Sequence, residues 1–261
     1  MKKFLLAVVG LVMTWSIYAQ DSTFVKPHFY GGVDLTSNLI WRGVKCADNP
    51  TLAPNVGFGV AGFDIYFCGA YAFEAEYAEF DMGISYEWKG LKLEAIDYFY
   101  PHTSYMERYY PDIDPSLPEF DFTNFKNGQT GHQVDVMLSY APDYFPLHFL
   151  WSTIVYGNDY NVVGYDEQTE EAVLKQAYSS YAEIGFWHEF GDYGVVDVTL
   201  GASVLRSDMI YYNEKFGLTN ISLNYSKSFE FKYFEVPLFA QFTYNAVAKC
   251  PYLTVGAGIQ F

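Results

Sequence analysis

The sequence predicts an all-β protein, a closed antiparallel transmembrane β-barrel of about twelve strands with its N- and C-termini on the periplasmic side. Hydrophobic residues make up 51% of the chain and aromatic residues 20%, yet the mean hydropathy is −0.02. Apolar side chains are therefore diluted by polar ones, as in a sheet with one lipid face and one wet face. Segments of alternating polarity recur throughout residues 20–261, with no linker between them.

The final strand shows this alternation most clearly. Alternate side chains of a strand share a face, and one face here carries Leu253, Val255, Ala257, Ile259 and Phe261. The chain stops on an aromatic residue, and a bare apolar last strand is a poor edge for a soluble protein. An outer-membrane barrel ends in this way, and its terminal aromatic residue is a signal for the outer-membrane assembly machinery. The alternative is a buried edge strand of a secreted β-sandwich.

The amino terminus predicts export. Lys2 and Lys3 precede an apolar run at residues 4–13, and Ala19 suits cleavage by a signal peptidase. Residues 1–19 are therefore predicted to be a signal peptide, and residues 20–261 a single barrel domain. No later segment has the ~18–20 continuous apolar residues of a membrane helix. An exported chain of this kind can enter lipid only as a barrel, because every backbone polar group must be paired.

The alternation places five strands before a long Pro-rich segment. They are predicted at residues 30–42, 52–61, 65–73, 77–88 and 91–100. The fourth has the most regular pattern, with one apolar face formed by Phe80, Met82, Ile84, Tyr86 and Trp88. Lys89-Gly90 has the composition of a tight turn into the fifth strand.

Seven further strands follow residues 101–130. They are predicted at residues 133–140, 148–156, 177–190, 195–206, 217–225, 234–245 and 252–261. The total is even, as in single-chain bacterial barrels. Connections after even-numbered strands are mostly short, and those after odd-numbered strands are longer on average. This is the expected asymmetry of short periplasmic turns and longer extracellular loops.

The net charge of the chain limits the partners that it can bind. The formal net charge is −16, which argues against nucleic acid because its partners carry basic patches. The expected partners are outer-membrane lipid, the assembly machinery at the strand that ends at Phe261, and small hydrophilic solutes. No cofactor is expected.

The inward-facing side chains suggest a function. Strand parity predicts that ten residues face the lumen: Arg42, Glu79, Asp81, Glu87, Lys92, Glu94, Asp135, Glu183, Asp197 and Gln241. The excess of carboxylates would make a water-filled lumen negative and favour cations and neutral solutes over anions. The alternative is a closed interior in which these acids pair with Lys92 and Arg42.

The sequence has three cysteines, and two of them could form a disulfide. Cys46 follows the first strand and Cys250 precedes the twelfth, and these strands are neighbours in a closed barrel. A disulfide across the seam is geometrically possible and suits an exported protein. Cys68 would then be a packing residue, and the alternative is three thiols.

Catalytic motifs are absent from the sequence. It has no nucleophile elbow, phosphate-binding loop, zinc-protease motif or Cys-x-x-Cys pair. His102 or His132 with Ser104 could serve a lipid hydrolase, although a chance His near a loop Ser is commoner. Four acids could offer oxygen ligands to calcium but lack ordered spacing: Asp112, Asp114, Glu119 and Asp121. The sequence predicts that the protein is not an enzyme and that these acids are solvated.

Two short segments carry a family resemblance. Residues 37–43 (SNLIWRG) and 50–54 (PTLAP) resemble the first strand and loop of TorF-type porins of Gram-negative outer membranes. The paired strands joined by Gly turns at residues 62–100 are also similar to that pattern. The resemblance implies an outer-membrane barrel with a channel function and brings no catalytic residues.

The sequence therefore predicts a porin-like outer-membrane channel for passive diffusion of small hydrophilic solutes, with a preference for cations. One alternative is a structural or surface-binding barrel that does not conduct and acts through its long loops. A second alternative is an outer-membrane lipid hydrolase.

Overall fold

The computed structural model describes residues 26–73, 77–101, 120–126, 130–167 and 172–261. The predicted signal peptide at residues 1–19 lies outside them. The first eight strands are β1 (His28–Thr36), β2 (Leu39–Trp41), β3 (Val44–Ala47), β4 (Thr51–Val60), β5 (Phe63–Ala72), β6 (Ala78–Trp88), β7 (Leu91–Phe99) and β8 (His132–Tyr140). The others are β9 (Leu147–Gly157), β10 (Tyr160–Tyr165), β11 (Ala172–Gln176), β12 (Ser180–Glu189), β13 (Val195–Ser203), β14 (Gly217–Glu230), β15 (Glu235–Asn245) and β16 (Cys250–Gln260).

Twelve of these strands close into an antiparallel barrel, which confirms the predicted fold class and strand number. The order around the wall is β1-β16-β15-β14-β13-β12-β9-β8-β7-β6-β5-β4. At the seam, β1 pairs with β16 from Gly32↔Gln260 to Thr36↔Gly256. Gly31 and Phe261 extend the seam with two backbone hydrogen bonds of 3.0 and 2.9 Å. The remaining strands form two separate hairpins, β2-β3 and β10-β11.

The two ends of the barrel differ in their connections. At one end, where β1 begins and β16 ends, the links are short turns. Ala61-Gly62 and Lys89-Gly90 have positive φ at both positions, as in type I′ turns that match the twist of the paired strands. The other end carries the connections at residues 37–50, 100–131, 158–179 and 204–216. These ends are called the short-turn end and the long-loop end.

The outer wall is apolar and exposed. Ile65 on β5, Ile84 on β6, Leu93 on β7 and Leu253 on β16 each expose half or more of the side chain. The inward positions between them are mostly polar, small or aromatic. A sheet with this polarity satisfies its backbone within the wall and presents hydrocarbon outward, which is the arrangement that lipid requires. No helix in the described residues is long and apolar enough to cross a membrane.

A charge on the outer wall tests this assignment. Ile84 is exposed midway along β6, and Ile84→Arg should destabilise the barrel by about 2–4 kcal/mol, the cost of a cation at mid-membrane depth. Tyr165→Arg on β10, at a side chain that is 70% exposed, should change stability by less than about 0.5 kcal/mol. The free energy of unfolding of both variants is measured by urea unfolding in lipid vesicles. Equal costs would contradict the assignment of the outer wall to lipid.

The core of this protein lies in the lumen. Buried residues of β5, β7, β8, β9 and β12 form one cluster, together with Val44 of β3 and Met209, Ile210 and Tyr211 of the 204–216 connection. Inner-wall rings also lie flat on neighbouring strands. A Cβ on Gly83 would be 1.9 Å from Cζ of Tyr66, so the ring of Tyr66 occupies the space that glycine leaves. The lumen is therefore filled by side chains on one side and closed by chain segments that fold into it.

Candidate functional site

The first long connection folds into the lumen. The sequence predicted a continuous first strand at residues 30–42, and this boundary is wrong because β1 ends at Thr36. The chain then forms the hairpin β2-β3, turning at Arg42-Gly43 with φ of 49° and 82°. Leu39, which continued the alternation of the predicted strand, and its neighbour Ile40 are buried inside the barrel. We call residues 39–47 the inner hairpin.

Arg42, at the tip of the inner hairpin, reaches the wall formed by β8 and β9. Its guanidinium lies 2.8 Å from Oδ2 of Asp135. It also donates to Oγ of Ser152 at 2.5 Å and to the hydroxyl of Tyr211 at 3.1 Å. The side chains of Arg42 and Asp135 are 1% and 0% exposed. This is a buried ion pair, so each charge depends on the other for compensation.

Aromatic rings surround the same guanidinium. Cζ of Arg42 lies 4.4 Å from the ring centroid of Trp41 and 5.2 Å from that of Tyr181. Tyr211 stacks on Trp41 at 5.7 Å and on Tyr181 at 5.8 Å. A desolvated cation over aromatic faces gains cation–π attraction of roughly 2 kcal/mol. We call Trp41, Arg42, Asp135, Tyr181 and Tyr211 the Arg42 cluster.

The other side of the hairpin tip rests on β14 and β15. Nδ2 of Asn245 donates to the carbonyl oxygen of Gly43 at 2.9 Å. A Cβ on Gly43 would lie 1.8 Å from the carbonyl oxygen of Thr219, so the tip sits directly on the backbone of β14. The inner hairpin thus spans the lumen, from the seat at Asn245 to the ion pair at Asp135.

A second connection, residues 204–216, also folds into the lumen at the long-loop end. Met209, Ile210 and Tyr211 are buried against the lumenal cluster. Ser207 and Asn213 bridge the base of this loop through backbone hydrogen bonds of 2.9 and 3.1 Å. Tyr211 is the residue that joins this loop to the Arg42 cluster.

Asp159 ties together the long-loop ends of two barrel strands. It lies between β9 and β10 and accepts hydrogen bonds from the amide of Ser179 at 2.8 Å and the hydroxyl of Ser179 at 2.5 Å. The same hydroxyl lies 2.6 Å from Oγ of Ser207, at the base of the second loop. Burial raises the pKa of Asp159 to about 6, and the hydrogen bonds from Ser179 oppose that rise.

The predicted lumenal carboxylates lie on inner faces, and most of them have hydrogen-bond partners. Glu94 accepts from Lys92 at 2.7 Å and from the hydroxyl of Tyr66 at 2.9 Å. Glu183 accepts from the hydroxyl of Tyr181 at 2.6 Å. Nε2 of His148 lies 2.9 Å from Oδ2 of Asp197. Most of the negative charge that the sequence places in the lumen is therefore in contact with a hydrogen-bond donor.

The other predicted lumenal residues follow the same pattern. Glu79 accepts from the hydroxyl of Tyr77, and Asp81 accepts from Sγ of Cys68 at 3.5 Å. Glu87 is half-buried opposite Lys92 in the β6-β7 register. Gln241 donates to the hydroxyl of Thr243 at 2.9 Å. Asp135 and Arg42 pair with each other, as described above.

The two cysteines of the hypothesised disulfide are not joined in the structure. Cys46 packs against the small cluster that includes Ala70 and Tyr77, and its Sγ lies 3.9 Å from the carbonyl oxygen of Val44. Cys250 is exposed at the beginning of β16. Cys68 lies on the inner face of β5 beside Asp81.

His132 lies on the outer face of the wall, under residues 120–126. Its Nδ1 is 2.8 Å from Oδ2 of Asp97, and its Nε2 is 2.8 Å from the carbonyl oxygen of Phe122. Phe125 stacks on the imidazole at 4.0 Å. Nδ1 thus bonds to a neighbouring barrel strand, and Nε2 holds residues 120–126 to the barrel. The other two residues of the hydrolase hypothesis, His102 and Ser104, lie outside the described residues.

The calcium hypothesis also falls mainly outside the described residues, because Asp112, Asp114 and Glu119 are not among them. Asp121 is exposed and accepts hydrogen bonds from the amide and hydroxyl of Thr123, both at 2.8 Å. These bonds lower the pKa of Asp121. In the described part of the chain, no group of three or more His, Cys, Asp and Glu side chains could hold a metal ion.

Sequence reasoning missed most of the Arg42 cluster and its seat. Trp41, Ser152, Tyr181, Tyr211 and Asn245 all contact the inner hairpin or its guanidinium, and none of them was predicted as a site residue. The pair Arg42-Gly43 could have predicted the turn of the inner hairpin. It lies between apolar residues and ends in glycine, as the predicted turn Lys89-Gly90 does.

A closed barrel with an apolar exterior and a polar interior defines a membrane-spanning class of protein. No protein-family profile matches this chain. No curated protein matches it in sequence.

Several solved structures have a similar fold. One is an outer membrane channel from Pseudomonas putida F1, with 9% identity and a TM-score of 0.46 over 93% of this chain and 99% of that chain. Another is Wzi, a carbohydrate-binding β-barrel involved in capsule assembly in Escherichia coli, with 5% identity and a TM-score of 0.34 over 81% and 51% of the chains. Salmonella typhi OmpF, in complex with daunomycin, has 7% identity and a TM-score of 0.33 over 91% and 98%. At these TM-scores, the similarity to the three structures supports no inference about the function of this protein.

Proposed function

We propose that the protein is a porin-like barrel of the bacterial outer membrane that passes small hydrophilic solutes by diffusion and is closed at rest. The observation that carries this proposal is the inner hairpin, which lies across the lumen yet belongs to none of the barrel's ladders. A segment in that position can leave the lumen without breaking the wall. The contacts at its tip then form the gate, and no catalytic group or cofactor is needed.

The orientation follows from the connections. We place the short-turn end and both termini in the periplasm, and the long-loop end outside the cell. The apolar outer wall then contacts lipid, and the strand that ends at Phe261 is available to the assembly machinery. The resemblance of residues 37–43 to TorF-type porins supports the same proposal, since those residues form the base and tip of the inner hairpin.

The hairpin is held differently at its base and at its tip. At the base, the amide of Ser37 donates to the carbonyl oxygen of Val255 at 2.8 Å, and Nδ2 of Asn38 donates to that of Leu253 at 3.0 Å. At the tip, side chains make the contacts, through the Arg42 cluster and Asn245. Breaking the tip contacts would let the hairpin swing about its base. The long-loop end would then open.

Conductance tests the proposal directly. In one variant, a short Gly-Ser linker replaces residues 39–47. This variant should show steady conductance steps in a planar bilayer, whereas the native protein should be closed for most of the recording. The matched control replaces the residues that join β10 to β11 with a linker of similar length, and it should behave as the native protein does.

A heat-modifiable, correctly folded hairpin-replacement variant that does not conduct would overturn the channel. The protein would then act by binding at its surface, and one observation supports this alternative. The β10-β11 hairpin projects beyond the barrel with Val163, Tyr165 and Val173 exposed, and an exposed apolar group of this kind is typical of a binding surface.

A further inference from the structure

The inner face of β14 carries no charge between Asn220 and Ser228. Every inward side chain in this part of the strand is an amide or a hydroxyl: Asn220, Ser222, Asn224, Ser226 and Ser228. Glu230, at the short-turn end of the strand, has the same parity. Gln241 and Thr243 continue the same chemistry on β15. We call the five residues of β14 the uncharged stripe. It runs from the long-loop end to the short-turn end of the lumen.

Other strands of the barrel have inner faces of the opposite character. Glu94, Asp135 and Glu183 lie on β7, β8 and β12 and contact Lys92, Arg42 and Tyr181, respectively. Bulky residues such as Leu150 and Ile154 are buried beside them. A solute that entered the lumen would meet a packed wall at these strands. The serines of the uncharged stripe are smaller side chains.

The stripe also has unused hydrogen-bonding capacity. Oδ1 of Asn220 and Oδ1 of Asn224 are buried without a hydrogen-bond partner, and so is Oγ1 of the neighbouring Thr219. Thr219 is 0% exposed and Asn220 is 2% exposed. A buried polar atom without a partner costs about 1–3 kcal/mol, so these atoms together mark a place where a polar ligand is stabilised.

The inner hairpin already shows what the upper end of the stripe binds. The carbonyl oxygen of Gly43 accepts from Nδ2 of Asn245 and lies against the backbone of Thr219. The carbonyl oxygen of Gly43 is uncharged, as is a hydroxyl oxygen of a solute. It occupies the position that such a hydroxyl oxygen would take. A solute that bonded Asn245 would take the place of the hairpin tip.

We propose that the uncharged stripe is the solute path and that it selects neutral, polyhydroxylated solutes of the sugar or polyol class. This inference rests on the proposed channel function. Amides and hydroxyls both donate and accept, so they can pair with sugar hydroxyls in either direction. They offer no opposite charge to offset the desolvation of an ion. The cation preference predicted from the acidic residues is therefore replaced by a preference for neutral solutes.

The test uses vesicles that contain the hairpin-replacement variant, in which the lumen is open. Swelling rates are compared for three solutes of similar size: a neutral hexose, the corresponding amino sugar as a cation, and the corresponding uronate as an anion. The neutral hexose should enter fastest. Ser226→Asp should then raise entry of the cation relative to the hexose about fivefold, the effect of roughly 1 kcal/mol from one charge at contact distance in water.

Ser139→Asp is the matched control, because Ser139 lies on the inner face of β8 and is 5% exposed, against 3% for Ser226. It adds the same charge to the packed wall and should leave the solute ratio unchanged. Entry of the cation ahead of the hexose, or equal effects of the two substitutions, would overturn the uncharged path while leaving the channel. If no solute enters vesicles that hold a folded barrel, the channel itself is overturned, and this inference with it.

Discussion

Asp135→Ala is expected to destabilise the folded barrel by about 3–5 kcal/mol, because it leaves a buried guanidinium without its counter-charge. Arg42 lies 2.8 Å from Asp135, and neither side chain reaches solvent. Its other partners, Ser152, Tyr211 and Met137, are neutral. Urea unfolding in lipid vesicles, followed by tryptophan fluorescence, measures the loss.

The double variant Arg42→Met with Asp135→Leu separates the ion pair from the space that it fills. Removing both charges together leaves no uncompensated ion, and such replacements are often neutral or stabilising. The double variant should therefore be more stable than Asp135→Ala. A cost below about 1 kcal/mol for Asp135→Ala, the range of exposed pairs, would contradict the buried ion pair.

The second large effect is expected at Gly43. Gly43→Ala should displace the hairpin tip from its seat, because the added Cβ would lie 1.8 Å from the carbonyl oxygen of Thr219. The backbone there has a φ of +82°, which costs an L-residue a further ~1–2 kcal/mol. Trp41 should then lose its stacking on Tyr211, and the fluorescence of the folded protein should change.

Gly191→Ala is the matched control for this prediction. Gly191 has a φ of +61°, and a Cβ on it would meet nothing within 4 Å. This substitution imposes a similar backbone strain without a steric clash and lies in a short turn away from the hairpin. If both variants have the same fluorescence and stability, Gly43 has no special fit to β14.

Twelve barrel strands could be predicted because the rule behind them is local. A wall with lipid outside and polar side chains inside imposes a period of two on every strand. The fourth predicted strand, residues 77–88, corresponds closely to β6 (Ala78–Trp88) for this reason. Short turns such as Lys89-Gly90 could also be predicted from the sequence, since few residue pairs accept a positive φ at both positions.

The inner hairpin could not be predicted in this way. Leu39 and Trp41 keep the alternation of β1, so the pattern alone extends the strand to Arg42. Whether such a segment continues the wall or turns inward depends on partners distant in the chain. Asp135, Ser152 and Tyr211 supply them here, and their separations from Arg42 carry no sequence signal.

The sequence did not show how the lumenal acids are engaged. Glu94, Glu183 and Asp197 were predicted to make the lumen negative, and in the structure they contact Lys92, Tyr181 and His148, respectively. Tyrosine and histidine were the unnoticed partners. An abundance of Tyr among inward positions is therefore a hint that acids in a barrel are engaged within the wall.

The Arg42 cluster has a consequence for how the long-loop end moves. The inner hairpin and the 204–216 loop are held by the same guanidinium, through Arg42 itself and through the hydroxyl of Tyr211. Neither segment can withdraw alone without removing a contact from the other. Their motions are therefore cooperative, and packed elements coupled in this way switch between discrete arrangements rather than deforming gradually. Opening is expected as one all-or-none transition, in which two loops that are distant in sequence leave together.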